Sequence, residues 1–156
     1  MKLSTKGRYA VTAMLNLAIH DQRNTVTLAD ISQCQGISLS YLEQLFAKLR
    51  KHRLVKGIRG PGGGYRLARP MHEISVAQII TAVDERTEGA GERPAKPGSR
   101  RPVTQELWDE LSERLYDFLD GITLAELADR PEVREVAQRH LKQQHNGYRS
   151  DKKTAA

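Results

Sequence analysis

One amphipathic stretch, residues 37–51, constrains the fold of this chain more than any other part. Four large apolar residues recur in it with the i, i+3, i+4, i+7 spacing that places them on one side of an α-helix: Leu42, Leu45, Phe46 and Leu49. The other side carries hydrogen-bonding groups and ends in positive charge. The pattern therefore predicts a helix that buries one side in a core and presents the other side for binding.

A short capped helix is predicted just before this stretch. It begins at Thr27, and Gly36 supplies a turn of positive φ that directs the chain into the next helix at Ser38 or Ser40. Two helices joined in this way form a helix-turn-helix, whose second helix lies in the DNA major groove. We therefore expect the polar side chains near the start of that recognition helix to contact DNA: Ser38, Ser40, Tyr41, Glu43 and Gln44.

Two of these side chains indicate how bases are distinguished. Gln44 suits the N6 and N7 atoms of adenine. A carboxylate facing DNA is unfavourable unless a cytosine N4 amine meets it, so we expect Glu43 to reject sites without that amine. A second role is compatible with the first, with Glu43 as the capping-box partner of Ser40.

A glycine-rich hairpin is predicted directly after the recognition helix. Residues 54–58 and 65–68 favour short β-strands, and four of the six residues between 59 and 64 are glycine, as is typical of a tight turn. A hairpin in this position is a wing, and its glycines let the backbone approach DNA closely. Because an arginine suits a narrow minor groove, we expect Arg59, Gly60 and Tyr65 to contact DNA there.

Positive charge is concentrated in the same half of the chain. Residues 1–70 hold 12 Lys/Arg against 3 Asp/Glu, a net charge of +9, whereas the remaining residues hold 13 against 16, a net charge of −3. Such an asymmetry favours phosphate binding, which supplies affinity but reads no sequence. The candidate phosphate contacts, for each of which simple solvation is an equal alternative, are Lys2, Arg8, Lys48, Arg50, Lys51 and Lys56.

The apolar spacing divides the whole chain into four parts. A first helix from Gly7 to His20, packed beneath the recognition helix, and a later helix capped by Ser75 complete a DNA-binding domain that we place at residues 1–84. Residues 85–102 are dominated by Gly, Pro, Glu, Arg and Ser without apolar periodicity, so they predict a flexible linker. A third part spans residues 103–142, and residues 143–156 have the composition of a disordered tail.

The third part opens with a long helix, for which Thr104 is the expected cap. Apolar residues recur along it at spacings of three and four, as in a heptad seam: Trp108, Leu111, Leu115, Phe118 and Ile122. A seam this apolar needs a partner, and the simplest is the same helix in a second copy. We therefore expect a homodimer, with packing inside the chain as a compatible alternative. The predicted fold is mainly α with a small β-hairpin: a winged helix-turn-helix domain followed by a dimerisation helix.

Other classes of protein find little support in the residues. No run of roughly 18 apolar residues predicts a membrane span, so we expect a cytoplasmic protein. The single cysteine, Cys34, excludes an internal disulfide framework. The five histidines are scattered, and neither a nucleophile elbow nor a phosphate-binding loop with its lysine is present, so we expect no enzyme and no metal site.

Long contiguous motifs in this sequence resemble those of the IscR family of bacterial winged-helix repressors. They are residues 3–10, 36–46 and 55–65, and the resemblance resumes at residues 107–108 and extends through 122–124. The resemblance implies a homodimer that binds double-stranded DNA at palindromic promoter sites. It also implies control of the genes for iron-sulfur cluster assembly.

One departure from the family concerns its cofactor. Family members hold a [2Fe-2S] cluster with three cysteines in the linker and a histidine that opens the long helix. Here residues 85–102 contain no cysteine, and Gln105 stands about where the histidine would be. Because such clusters require thiolate ligands, we expect no cofactor. Two alternatives stay open: a cluster held by atypical ligands, with Cys34 as one candidate, or a signal received through a protein partner.

Overall fold

The computed structural model describes residues 4–20, 25–84 and 103–135. Within them the chain forms a mainly helical fold with one antiparallel hairpin, as predicted. The elements in chain order are α1 (Thr5–His20), α2 (Leu28–Gln35), α3 (Leu39–Lys51), β1 (Val55–Ile58), β2 (Gly64–Leu67), α4 (Val76–Val83), α5 (Gln105–Asp120) and α6 (Leu124–Ala128). The predicted linker, the predicted tail and Lys2 lie outside the described residues.

Local capping chemistry sets where the short helices begin. α2, α4 and α6 each start with a complete capping box, formed by Thr27 with Asp30, Ser75 with Gln78, and Thr123 with Glu126. Each box satisfies amide groups that a helix start leaves without partners. α5 differs, because Thr104 occupies the predicted N-cap position but makes no capping hydrogen bond with its side chain.

The helix-turn-helix forms where the sequence predicts it. Gly36 ends α2 in the left-handed region with a φ of 64°, and Ser38 caps α3 by accepting a hydrogen bond from the Tyr41 amide at 3.3 Å. Ser38, and not Ser40, is therefore the cap. Tyr41 occupies the third helical position, so the alternative role of Glu43 as a capping-box partner of Ser40 is wrong.

The larger of two apolar clusters holds α3 in place. Its four predicted core residues are fully buried, and they pack with residues from α1, α2, α4 and the segment before β1 that include Met14, Leu17, Ile31, Ile79 and Leu54. α1 begins at Thr5, two residues earlier than predicted, and its most extensive packing is against α4. α1 and α4 approach each other at Gly7, where a Cβ would lie 3.4 Å from Ile80 Cγ2, at ordinary van der Waals distance.

The wing is anchored to the core at its base. β1 pairs with β2 from Val55 opposite Leu67 to Ile58 opposite Gly64. On the other edge of β2, Val26 and Tyr65 exchange backbone hydrogen bonds of 3.1 Å and 2.7 Å, which ties the hairpin to the segment before α2. The wing therefore moves with the helix-turn-helix and keeps its place relative to α3.

α5 is attached to this domain by its C-terminal end. Leu119 is buried against Val76, Ala77 and Ile80 of α4. Below it, residues 74–76 and 122–124 form an antiparallel bridge, in which the Leu124 amide donates to the Ile74 carbonyl at 2.8 Å. The N-terminal half of α5 makes no comparable contact with the described residues.

Candidate nucleic-acid interface

The exposed side of α3 carries the side chains predicted to read DNA. Ser38, Ser40, Glu43 and Gln44 are all exposed, whereas Tyr41 is half-buried on the flank of the helix. The buried side fixes the rotation of α3, so these polar groups face outward as one row. Glu43 makes no ion pair or hydrogen bond with the described residues, which leaves its carboxylate available to a ligand.

The charge along α3 follows the helix dipole. Its first turn contains no acidic residue, and its last turn contains Lys48, Arg50 and Lys51. The amide groups at the start of a helix carry partial positive charge, which favours an anion such as a phosphate. The start of α3 can therefore meet the DNA backbone and the base edges together.

The wing presents Arg59 at its tip. Arg59 is exposed, and the turn that follows uses Gly60 and Gly62 with φ values of 100° and 75°, a backbone that other residues rarely adopt. Thr25 donates a hydrogen bond from its hydroxyl to the Gly62 carbonyl, which fastens the tip to the segment before α2. The structure thus places an arginine on a narrow, supported loop beside α3.

Tyr65 does not share this placement. Its ring packs against Phe46 with a centroid separation of 4.9 Å, and the residue is half-buried at the edge of the core. The ring therefore supports the base of the wing and does not stand at its tip with Arg59 and Gly60. Alternation along β2 turns this ring towards the core, and a minor-groove contact by Tyr65 stays a prediction.

Two residues that were predicted to bind phosphate, Lys48 and Arg8, also have contacts within the chain. Lys48 is half-buried, and its Nζ donates to the Val83 carbonyl at 3.1 Å, so this cation interacts with the C-terminal end of α4. Arg8 lines a groove of about 310 Å³ between α1, α4 and α5, and its contact with phosphate stays a prediction. Arg50, Lys51 and Lys56 are exposed, and their contact with phosphate stays a prediction.

The predicted seam of α5 divides into two sets. Leu115 and Ile122 pack against the α4 cluster inside the chain, whereas Trp108, Leu111 and Phe118 are exposed, by 58%, 51% and 67%. Leu107, which is 59% exposed, belongs with the second set and was not predicted, because the heptad spacing selects one residue per turn. α5 therefore carries an apolar surface that the described residues do not cover.

The donor groups needed for an iron-sulfur cluster are not found. Cys34 lies exposed on α2, and the described residues contain no group of three His, Cys, Asp or Glu side chains that could hold a metal ion. Residues 85–102 contribute no thiolate, since the full sequence has one cysteine. The residues present thus do not fit a cluster that is held by cysteines.

Nor does the described part of the chain contain a helix with the length and apolar character needed to cross a bilayer.

Known proteins similar to this chain are transcriptional regulators. The family model described as "Rrf2: Iron-dependent Transcriptional regulator" matches residues 3–130. The HTH-type transcriptional regulator IscR of Vibrio campbellii is 55% identical over 144 residues, which cover 89% of this chain and 84% of that protein. Its counterpart in Pectobacterium carotovorum is 54% identical over 141 residues, which cover 89% and 86%.

Solved structures show the same relationship. The IscR of T. potens superposes with a TM-score of 0.66 at 42% identity, over 81% of this chain and 85% of that one. CymR of B. subtilis, described as the global cysteine regulator, superposes with a TM-score of 0.66 at 35% identity, over 82% and 96%. The similar proteins are regulators and not enzymes. The family match and these identities show that the chain belongs to the Rrf2 family of DNA-binding transcriptional regulators.

Proposed function

We propose that this regulator acts in the cytoplasm as a homodimer on palindromic promoter sites, with α3 in the major groove and Arg59 in the minor groove. The observation that carries the proposal is the exposed polar row of α3, held by a fully buried opposite side and flanked by a wing with an arginine at its tip. In a helix-turn-helix this row meets base edges.

Within that geometry each exposed side chain has a defined task. Ser38 and Ser40, at the start of α3, bind phosphate or base edges, and Gln44 pairs with the N6 and N7 atoms of adenine. The carboxylate of Glu43 rejects sites that lack a cytosine amine. Its lack of a partner among the described residues supports this role, since the charge is not neutralised within the protein.

Selection from a random duplex library tests this assignment without knowledge of the operator. The wild-type chain should enrich a palindromic site, and Glu43→Ala should broaden the enriched set while affinity for the wild-type site is retained. Equal weakening on all sequences would make Glu43 structural. A competition between the enriched duplex and RNA of the same sequence separates a DNA regulator from an RNA-binding protein.

Self-association through α5 follows from the exposed apolar set. A monomer would leave Leu107, Trp108, Leu111 and Phe118 in water, and an apolar surface of this kind on one helix is typical of an interface. Trp108→Asp should shift the chain from dimer to monomer in sedimentation velocity. Asp117→Asn, on the same helix at an exposed polar position, is the matched control and should leave the dimer intact.

The regulated genes are proposed from the relatives. The IscR proteins of Vibrio campbellii and Pectobacterium carotovorum share more than half of their aligned residues with this chain, and the family is described as iron-dependent. We therefore propose that this chain controls genes of iron-sulfur cluster assembly or related iron and sulfur metabolism. Since the chain lacks the cysteine ligands, we propose that this regulator acts without a bound [2Fe-2S] cluster.

Iron and acid-labile sulfide, measured on protein purified without oxygen, test the absence of a cluster. Neither should be present in stoichiometric amount. Stoichiometric iron and sulfide would show that atypical ligands hold a cluster and that the chain senses it.

A further inference from the structure

Two tyrosines meet where α1 passes the start of α3. The rings of Tyr9 and Tyr41 pack edge to face, with centroids 5.8 Å apart and planes at 84°. Tyr41 occupies the first turn of α3, where its amide bonds to the Ser38 cap. The contact therefore places Tyr9 beside the end of α3 that enters the major groove in the proposed docking.

Both phenols are available for a ligand. Tyr9 is 39% exposed and Tyr41 is half-buried. Neither phenol oxygen makes a hydrogen bond to another described residue, and the Tyr41 oxygen is not buried. The two rings pack against each other through apolar atoms, but each hydroxyl still requires a hydrogen-bond partner. The outer edge of the tyrosine pair can therefore donate hydrogen bonds to a ligand.

The position of the two tyrosines favours a phosphate, and not a base, as their binding partner. The exposed row of α3 faces the floor of the groove, and Tyr41 lies on the flank of that row, where half of its surface is covered. A helix in the major groove, which is about 12 Å wide, has a phosphate backbone on each flank. Tyrosine hydroxyls are among the groups that bind phosphate oxygens in such complexes.

We propose that Tyr9 and Tyr41 form an uncharged phosphate-binding site on the flank of the recognition helix, in which the Tyr9 phenol donates to a backbone phosphate of duplex DNA and Tyr41 holds its ring. This extends the DNA surface onto α1 and moves Tyr41 from base reading to backbone binding. It rests on the docking of α3 under the proposed function.

An uncharged donor has a signature that distinguishes it from lysine or arginine. A cation that neutralises a phosphate releases counterions when the protein binds. Loss of one such cation therefore reduces the magnitude of the negative slope of log K against log salt by about 0.9. A phenol releases none. Loss of the Tyr9 hydroxyl should weaken binding about tenfold for each subunit of the dimer, which is the order expected for one hydrogen bond to a charged group, with the same salt dependence and the same loss on every sequence.

Tyr9→Phe in the full chain tests the proposal, with fluorescence anisotropy on the selected duplex and on an unrelated duplex at several salt concentrations. Phenylalanine retains the ring contact with Tyr41, so the midpoint of urea unfolding should stay at the wild-type value. Tyr116→Phe is the matched control, since Tyr116 is 38% exposed but lies on α5, and it should bind DNA as the wild type does.

Two results would overturn the site. Binding equal to wild type would show that Tyr9 only packs, and a loss confined to one sequence would show a base contact. Arg59→Ala and Gln44→Ala separate this failure from that of the proposed docking. If these two variants weaken binding and Tyr9→Phe does not, the tyrosine site alone is wrong, whereas if all three bind as wild type, the docking of α3 is wrong as well.

Discussion

Among the described residues, Arg53 is the one position other than glycine with a positive φ, at 57°. It follows α3, where the Arg53 amide donates to the Arg50 carbonyl and the Leu54 amide donates to the Leu49 carbonyl, each at 3.0 Å. These bonds end the helix in a way that usually calls for glycine. The left-handed conformation is costly for any residue with a Cβ, so this helix end is strained.

Arg53→Gly should therefore stabilise the fold. Relief of the left-handed conformation gains about 1–2 kcal/mol, and the greater freedom of glycine in the unfolded chain offsets about 0.4–1 kcal/mol of it, so the expected net gain is roughly 0.5–1 kcal/mol. Urea unfolding monitored by circular dichroism measures the change. A lower midpoint for Arg53→Gly would show that the arginine side chain contributes more stability than the strain removes.

Gly64 is needed for a different reason, the closeness of a neighbouring backbone. A Cβ at Gly64 would lie 2.6 Å from the Val26 carbonyl oxygen, whereas a Cβ at Gly57 would have only Tyr65 Cε1 nearby, at 3.9 Å. Gly64→Ala should detach the wing from Val26 and cost about 1–3 kcal/mol in unfolding free energy. Gly57→Ala, on the paired strand, is the control and should change stability by less than about 0.5 kcal/mol.

At the scale of the helices, α3, α4 and α1 are joined where α4 ends. Lys48 Nζ donates to the Val83 carbonyl, and Ser4 donates its hydroxyl to Asp84 Oδ1 at 2.8 Å while it accepts from the Gly7 amide. A cation at the C-terminal end of a helix is favoured by the helix dipole. The position of the recognition helix is thus coupled to the residues that precede the predicted linker.

Lys48→Met tests this coupling through DNA affinity. We expect weaker binding with an unchanged salt slope, because Lys48 positions α3 and neutralises no phosphate. Arg50→Met is the control, and as a predicted phosphate contact it should reduce the magnitude of the negative slope of log K against log salt by about 0.9 for each subunit of the dimer. A smaller salt dependence of binding for Lys48→Met would show that Lys48 does bind a phosphate.

At the scale of the whole molecule, the two proposed interfaces carry opposite charge. The recognition half is basic, whereas α5 holds one arginine, Arg114, against six acidic residues: Glu106, Asp109, Glu110, Glu113, Asp117 and Asp120. Attraction to DNA and repulsion between two copies of α5 are both screened by salt. The same change in ionic strength should therefore act on the two interfaces in opposite directions.

As salt rises from about 0.05 M to 0.2 M, we expect DNA affinity to fall and self-association through α5 to strengthen. Sedimentation equilibrium without DNA measures the second effect, and anisotropy measures the first. Self-association that weakens with salt would indicate that α5 of one copy packs against the basic half of its partner and not against the other α5.

Much of the fold could be predicted from the sequence because it depends on residues that are close together in the chain. The spacing of Leu42, Leu45, Phe46 and Leu49 determines which side of α3 is buried, and Gly36 determines where α2 ends, since only neighbouring residues are involved. The capping boxes at Ser75 and Thr123 are of the same kind. The glycines of the wing likewise specify a turn before any partner is considered.

The tertiary structure decided what depends on residues distant in the chain. Periodicity marks Lys48 as polar and Tyr65 as aromatic, but the Val83 carbonyl and the Phe46 ring that they contact are brought to them only by folding. The same holds for α5, whose single predicted seam is divided because α4 covers one end and leaves the other exposed. The order of residues along the chain determined the helices and the polar row of α3. Packing determined which polar residues near this row remain available to DNA.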